Sequence, residues 1–484
     1  MMAHLTNVPL EVLLQITSYL TTSEFGCLRS TCRLLEAALH RDFAREFFSK
    51  RQFALVEFSI QALVDISKSR FGPSLTHVII SLEHPLTITT HTNDKEAAVR
   101  HNQYYAEYLN HWEFTSTGLD VEMLSDAFKY LPNLESRHRD ETTWNSYGCP
   151  TFQRKTRIKL GLPTVHNSRG HEYTHHVFLT ILRAMANGAV SGWNPNLTRM
   201  EVLLHTCRLP DQSFKIPKRL EVGVSLALGK LKTLWLDNLT EETPHYVQVT
   251  DDQLEPMSTG GFFLSRFLLK TLALEHLRLN FQSYHPRSIE KFLSWVANAK
   301  ESSMNSNSMP MDSLESANIA DSLPLHFPRP PELPKLKVID IGMAIVQESI
   351  LLALYKRFKS TLQGVGLHKI VILSPNGTKT NVWARLCDNM AKADLQLKMV
   401  VLSYIKQSRG TQDAFITFNG SKRQHVKTWK GTAFAQSAKD IISDMEVDWP
   451  DESSDEDEDE DDEDGIYIFD SFANLFTMTL LANY

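Results

Sequence analysis

Paired cysteines, long apolar runs and phosphate-binding glycine loops are all missing from this 484-residue chain. Its five cysteines (Cys27, Cys32, Cys149, Cys207, Cys387) are scattered and form no C-x-x-C pair. That points to a reducing compartment and away from a disulfide framework or a zinc module. No apolar run approaches the roughly 20 residues of a membrane span, and the N-terminus lacks a charged-then-apolar signal pattern. Gly260-Gly261 stands alone, and neither G-x-x-x-x-G-K-[ST] nor G-x-G-x-x-G occurs. Phosphate-loop and dinucleotide-binding chemistry therefore have no foothold. Nothing resembles the basic stripe of a nucleic-acid binder. The expectation is a cytoplasmic and/or nuclear protein with no cofactor, no membrane contact and no nucleic-acid partner.

What is present is a folded composition, 42% hydrophobic and 10% aromatic, over a length that suggests more than one domain. The formal charge of −7 is misleading. Residues 451–464 hold 12 of the 57 acidic residues, so the rest carries 45 acidic against 50 basic residues, or +5. A mildly basic body thus bears an acidic appendage, expected to be disordered by self-repulsion and to attract basic partners in a salt-dependent way. Ser453 and Ser454, each followed by acidic residues, suit an acid-directed kinase, and phosphate there would deepen the charge. An apolar coda, from Ile466-Tyr467-Ile468-Phe469 to Tyr484, follows the run.

The most informative stretch is the first fifty residues. Val12, Leu13, Ile16, Tyr19 and Leu20 recur at helical spacing and predict one apolar stripe. Pro9 fits the first turn, where its missing N–H costs nothing, with Asn7 as the cap. Thr21-Thr22-Ser23 stops this helix, and Ser23 caps a second helix over about 24–31. A third carries Leu34, Leu35, Ala38, Leu39, Phe43 and Phe47. Three short helices cannot bury so much apolar surface among themselves, which drives them toward a partner. The order Pro-x-Glu-Val-Leu…Ile…Tyr-Leu…Phe…Leu-Arg…Cys-Arg resembles an F-box. The resemblance implies docking on a Skp-family adaptor and, through it, a cullin. It assigns the adaptor contact to Pro9, Val12, Leu13, Ile16, Leu20, Leu28 and Cys32. Leu10 stands where the family more usually has a polar residue, and Val8 where it has leucine.

Downstream, strand-like segments alternate with helical ones. Strands are predicted at 51–57, 75–82, 134–135, 197–204, 231–236, 274–279, 336–341, 367–373 and 395–402. Helices are predicted around 60–66, 174–187, 288–299, 347–358 and 382–393. Leu231-x-x-Leu234-x-Leu236 and Leu274-x-x-Leu277-x-Leu279 follow L-x-x-L-x-L. The pattern points to a leucine-rich-repeat-like solenoid. Its strand starts fall roughly 30 to 65 residues apart rather than the 20 to 29 of regular repeats, so the solenoid is irregular and bears insertions. The chain is similar, in segments such as Tyr130-Leu131-Pro132-Asn133-Leu134-Glu135 and Trp144-Asn145-Ser146-Tyr147-Gly148, to fungal F-box proteins with divergent leucine-rich repeats.

The expected fold class is mixed α/β: a three-helix F-box (1–50), an irregular leucine-rich-repeat-like solenoid (51–445) and an acidic disordered tail with an apolar end (446–484). Residues 301–334 read as a flexible insertion and 84–102 as a histidine-bearing loop. Asp237, Asn238, Asn280 and Phe281 sit where strands meet loops and line a binding face or make turns. Cys27 and Cys32 are expected as small buried residues. His171-Glu172-Tyr173-Thr174-His175 is a formal H-E-x-x-H, the zinc-protease pattern. Here His171 falls at or before the expected helix start, no third ligand follows, and no metal is expected. No catalytic residue can be nominated. The resemblance implies a substrate-recognition subunit of a Skp–cullin–F-box ubiquitin ligase rather than an enzyme, with its substrate unidentified. The alternatives are a binding scaffold outside ubiquitin transfer and, remotely, a zinc hydrolase.

Overall fold

A computed structural model of the chain describes residues 5, 8–86, 95–134, 146–161, 168–193, 197–204, 207–241, 246–250, 253–256, 260–298, 327–374, 380–410, 412–419, 424–432 and 434–450. They fall into two compact units. One takes the described parts of Met1–Pro163, Val177–Arg199 and Arg219–Ala227. The other takes those of Thr164–His176, Met200–Lys218 and of the chain from Leu228 onward. The whole is a mixed α/β structure without a closed barrel among the described residues.

The first unit opens with helices α1 (Leu10–Thr17), α2 (Thr22–Ser30) and α3 (Arg33–Phe48). Strand β1 (Lys50–Ala54), helix α4 (Glu57–Lys68) and strand β2 (His77–Ser81) follow. β1 and β2 pair in parallel, from Lys50 opposite His77 to Ala54 opposite Ser81. Such a pair needs a crossover, and α4 supplies it by burying Ile60, Leu63, Val64 and Ser67 along one face. Helices α5 (Lys95–Ser116), α6 (Leu119–Lys129), α7 (Cys149–Thr156) and α8 (Ser168–Val190) complete the set, α8 belonging here from Val177 on. Three expectations need correction. The first strand stops at Ala54 because α4 starts at Glu57. Leu134 is buried beside a Pro132-Asn133 turn and forms no strand. Residues 95–102 are the start of α5 rather than loop, since Lys, Glu, Ala and Arg are good helix formers, and 87–94 lie outside the described residues.

Apart from α9 (Glu221–Leu228), which belongs to the first unit up to Ala227, the second unit holds β3 (Arg199–Val202, from Met200 on), β4 (Leu209–Pro210), β5 (Thr233–Thr240), β6 (Tyr246–Thr250), β7 (Gln253–Pro256), α10 (Phe262–Leu268), β8 (His276–Ser283) and α11 (Pro286–Val296). It continues with β9 (Val338–Gly342), β10 (Ile345–Val346), α12 (Glu348–Arg357), β11 (Gly364–His368), β12 (Val371–Leu373), α13 (Val382–Lys392), β13 (Met399–Ser403), β14 (Lys406–Arg409), β15 (Gln412–Phe418), β16 (Val426–Lys430), α14 (Phe434–Ser443) and β17 (Met445–Asp448). An eight-stranded sheet runs β16-β13-β11-β9-β8-β5-β3, with β4 beside β5. From β5 to β13 the strands of this sheet (β5, β8, β9, β11, β13) lie side by side in chain order, all parallel, with one described helix in each crossover. A second sheet runs β10-β12-β14-β15-β17, its first three strands parallel. Each of β9, β11 and β13 therefore passes round a corner into a strand of the second sheet.

The corners share a backbone device. Gly342, His368 and Ser403 are in register, and the next residues, Met343, Lys369 and Tyr404, all adopt positive φ of 54°, 49° and 51°. None is glycine, so each corner carries a small backbone cost that the flanking ladders sustain. The Lys369 N–H donates to the Ser403 carbonyl at 2.8 Å, and that of Met343 to the His368 carbonyl at 2.8 Å. The expected single strand over 367–373 is thus two strands in two sheets. Period-two alternation places Leu234, Leu236, Leu277, Leu279, Ile339, Ile341, Val365, Leu367, Val400 and Leu402 in the core. The positions between them carry Trp235, His276, Arg278, Asp340, His368 and Ser403. Residues 327–334, expected inside a flexible insertion, are tied down instead. Leu333 is buried, Trp295 Nε1 donates to the Pro328 carbonyl at 2.5 Å, and Arg357 donates to the Pro331 carbonyl at 2.6 Å. Residues 299–326 and 451–484 lie outside the described residues.

Candidate functional site: the outer face of the N-terminal helices

Helices α1–α3 have a core of their own. Leu13, Phe25, Leu35, Leu39 and Phe43 are buried together, with Leu14, Leu20, Leu28, Phe47, Phe48 and Phe71 packed around them. Phe25 meets Phe43 edge-on at 5.3 Å, and Phe48 stacks on Phe71 at 4.3 Å. The Arg29 guanidinium lies 4.4 Å over the Phe43 ring and pairs with Glu36 at 3.0 Å. Arg70 reaches Glu36 at 2.6 Å, and its hydrogen bond holds the Glu36 carboxyl below the usual range. Helix starts differ from expectation. Pro9 is the N-cap of α1 rather than a first-turn residue, and Asn7 lies outside the described residues. Thr21, not Ser23, caps α2 through a reciprocal capping box with Glu24.

The predicted stripe on α1 is two faces. Leu13 and Thr17 turn inward, while Val12 (44% exposed), Ile16 (40%) and Tyr19 (81%) point to solvent. Among the residues implicated in adaptor contact, Pro9, Val12, Ile16 and Cys32 are exposed, and Leu20 and Leu28 are half-buried. Leu13 is buried in the module's own core, which removes it from any contact surface. Cys27 and Cys32 are also exposed, against the expectation of buried thiols, because they fall outside the Leu–Phe core of α2 and α3. Sequence reasoning missed Leu10 (44% exposed) and Leu34 (70%) as outward apolar residues. The adjacent Leu34-Leu35 pair carried the signal, since a helix buries only one of two neighbours.

A second polar cluster lies on the strand face of the eight-stranded sheet. His276 Nε2 and Asp340 Oδ2 are 2.6 Å apart. The Asn280 amide donates to Asp237 Oδ1 at 2.7 Å, and Arg278 Nε is 3.5 Å from the same oxygen. His368 shares a hydrogen bond with Ser403 Oγ at 3.1 Å. Burial, with Arg278 and Lys369 nearby, pulls the His368 imidazole down to about 3, so it is neutral at physiological pH. Of the strand-end residues singled out from sequence, Asp237 and Asn280 join this network. Asn238 sits at φ 51° and ties the chain to the Leu204 and Cys207 carbonyls, while Phe281 is core.

The H-E-x-x-H segment lies inside α8, whose helix begins at Ser168, so His171 follows the helix start rather than preceding it. The His171 side chain is outside the described set. His175 Nδ1 lies 3.1 Å from Ser213 Oγ, and Glu172 is exposed. Among the described residues no group of three His, Cys, Asp or Glu side chains is placed to hold a metal ion. No described helix is long and apolar enough to cross a membrane. The chain matches no protein-family model and no curated protein.

Proposed function

We propose that this chain is a substrate-recognition subunit of a Skp–cullin–F-box ubiquitin ligase. In this reading α1–α3 are the F-box and dock on a Skp-family adaptor. The parallel strands and crossover helices from β5 to β14 are an irregular leucine-rich-repeat-like solenoid that binds the protein substrate. The chain performs no chemistry of its own; it holds a substrate lysine near the charged thioester, so that transfer becomes effectively intramolecular.

The observation that carries the reading is the apolar outer face of a module that already has its own core. Val12 and Ile16 recur at i and i+4 on α1 and stay exposed beside the buried Leu13, and exposed Tyr19 follows just past the helix end. A self-contained three-helix unit gains nothing from that stripe unless a partner covers it. For the solenoid, the support is strand order: β5, β8, β9, β11 and β13 stack in chain order without reversal.

The test is a titration of the full chain with purified Skp-family adaptor, wild type against Val12→Asp/Ile16→Asp. Burying either side chain fully is worth ~1.5–3 kcal/mol, of which their remaining exposure leaves about 1 kcal/mol each, and two unpaired carboxylates add several more. Binding should weaken by at least about a thousandfold, equivalent to ~4 kcal/mol, with an unchanged circular dichroism spectrum. No binding by the wild type, or equal binding by the variant, refutes the reading.

A further inference from the structure

The corner at the end of β11 and β13 carries a continuous ladder of rings flanked by lysines. The His368 ring meets Tyr404 edge-on at 6.2 Å, Tyr404 stacks on His425 at 5.6 Å, and His425 meets Phe415 at 5.5 Å. The Lys406 ammonium lies 4.1 Å over Phe415, and Lys369 is exposed beside His368. Nδ1 of His425 is buried without a hydrogen-bond partner, an orphan donor when that nitrogen carries the proton. Exposed Asp413, two residues before Phe415, is the acidic residue nearest in sequence on β15.

We propose that the acidic run 451–464 docks in cis on this strip of His368, Lys369, Tyr404, Lys406, Phe415 and His425. There it is an intramolecular electrostatic competitor that acidic ligands must displace. Two observations choose the chain's own run as the occupant. Phe415 pairs directly with Asp448 in the β15–β17 ladder, so the run begins three residues from the strip, within ~10 Å of chain. Its 12 acidic residues in 14 complement the strip's two lysines, Lys369 and Lys406. Tethering at that distance holds the carboxylates at an effective concentration on the order of millimolar, enough for individually weak ion pairs to be occupied. The proposal is independent of the adaptor reading and stands or falls without it.

The experiment uses the full chain and zero-length carbodiimide cross-linking, read by mass spectrometry. At low salt Lys369 and Lys406 should join to carboxylates of 451–464, with a yield independent of protein dilution, and 0.5 M NaCl should abolish the links. In parallel, a synthetic peptide of residues 451–464 is titrated against wild type and against a full-length variant with the 12 acidic residues changed to Asn and Gln. The neutralised variant should bind it about tenfold more tightly, and adding Lys369→Gln/Lys406→Gln should remove that gain. Absence of the links at low salt, links that form only between copies, or equal peptide binding by the two proteins overturns the proposal. Gln at both lysines lies on partly exposed surface, so loss of binding there is not loss of fold.

Discussion

Gly342→Ala is the sharpest single test of the sheet packing. A Cβ on Gly342 would drive into the Asn280 Oδ1 atom and approach the His368 carbonyl at 3.5 Å. Asn280 is 2% exposed and has nowhere to retreat, and its amide donates to Asp237, itself buried. Overpacking a tight interior costs about 1–3 kcal/mol, and losing a hydrogen bond to a buried carboxylate about 1.5–3 kcal/mol. Gly342→Ala should therefore destabilise the second unit by roughly 3–5 kcal/mol. Asn280→Ala alone forfeits only the hydrogen bond, about 2 kcal/mol. In the double variant the clash is gone, so its stability should match Asn280→Ala, and the coupling energy should equal the full cost of Gly342→Ala, roughly 3–5 kcal/mol. Equilibrium urea unfolding, followed by tryptophan fluorescence and circular dichroism, measures all three. A cost below about 1 kcal/mol for Gly342→Ala, or strict additivity in the double variant, would refute the packing argument.

Other expectations follow from the same structure. Leu13→Ala should unfold α1–α3 by about 3 kcal/mol while Val12→Ala leaves them within ~0.5 kcal/mol, read by thermal melts of the two variants. Thr21→Ala removes the α2 capping box and should cost about 1 kcal/mol, seen as faster amide exchange at the start of that helix. His368 has a folded-state pKa depressed to about 3, so the unfolded chain binds the proton first as pH falls. Stability should be complete above the ordinary histidine range and drop by about 2 kcal/mol between pH 7 and 5. His368→Gln should flatten that slope; an unchanged pH profile would assign it to other groups.

Much of the second unit was legible in its leucine spacing. Leu231-x-x-Leu234-x-Leu236 and Leu274-x-x-Leu277-x-Leu279 lead into β5 and β8, since only a strand puts alternate leucines on one buried face. The helices over 347–358 and 382–393 fall within two residues of α12 and α13. The corners were illegible because their left-handed residues are Met343, Lys369 and Tyr404, which lack the glycine or asparagine that marks such a turn. The strand-like stretch from Leu367 to Leu373, broken only by His368-Lys369, therefore hid a change of sheet at Lys369. On α1 the periodicity located the helix but could not choose its buried side, because Val12 and Leu13 are equally apolar and tertiary packing decides between them. The ring ladder was out of reach for a different reason: His368, Tyr404, Phe415 and His425 come from separate segments that only the corners bring together.

The antiparallel strand β16 at the border of the eight-stranded sheet has a bearing on solubility. An exposed sheet edge is a template on which a second molecule can add a strand, and long stacks of parallel strands are especially open to it. Here the outermost strand is five residues long, reverses direction against β13, and reads Val-Lys-Thr-Trp-Lys. Lys427 is already engaged by Asp444, and a ladder this short offers an incoming strand few hydrogen bonds. Copies of this chain should therefore resist end-to-end aggregation at high concentration, a resistance invested in the shortness and reversal of a single border strand.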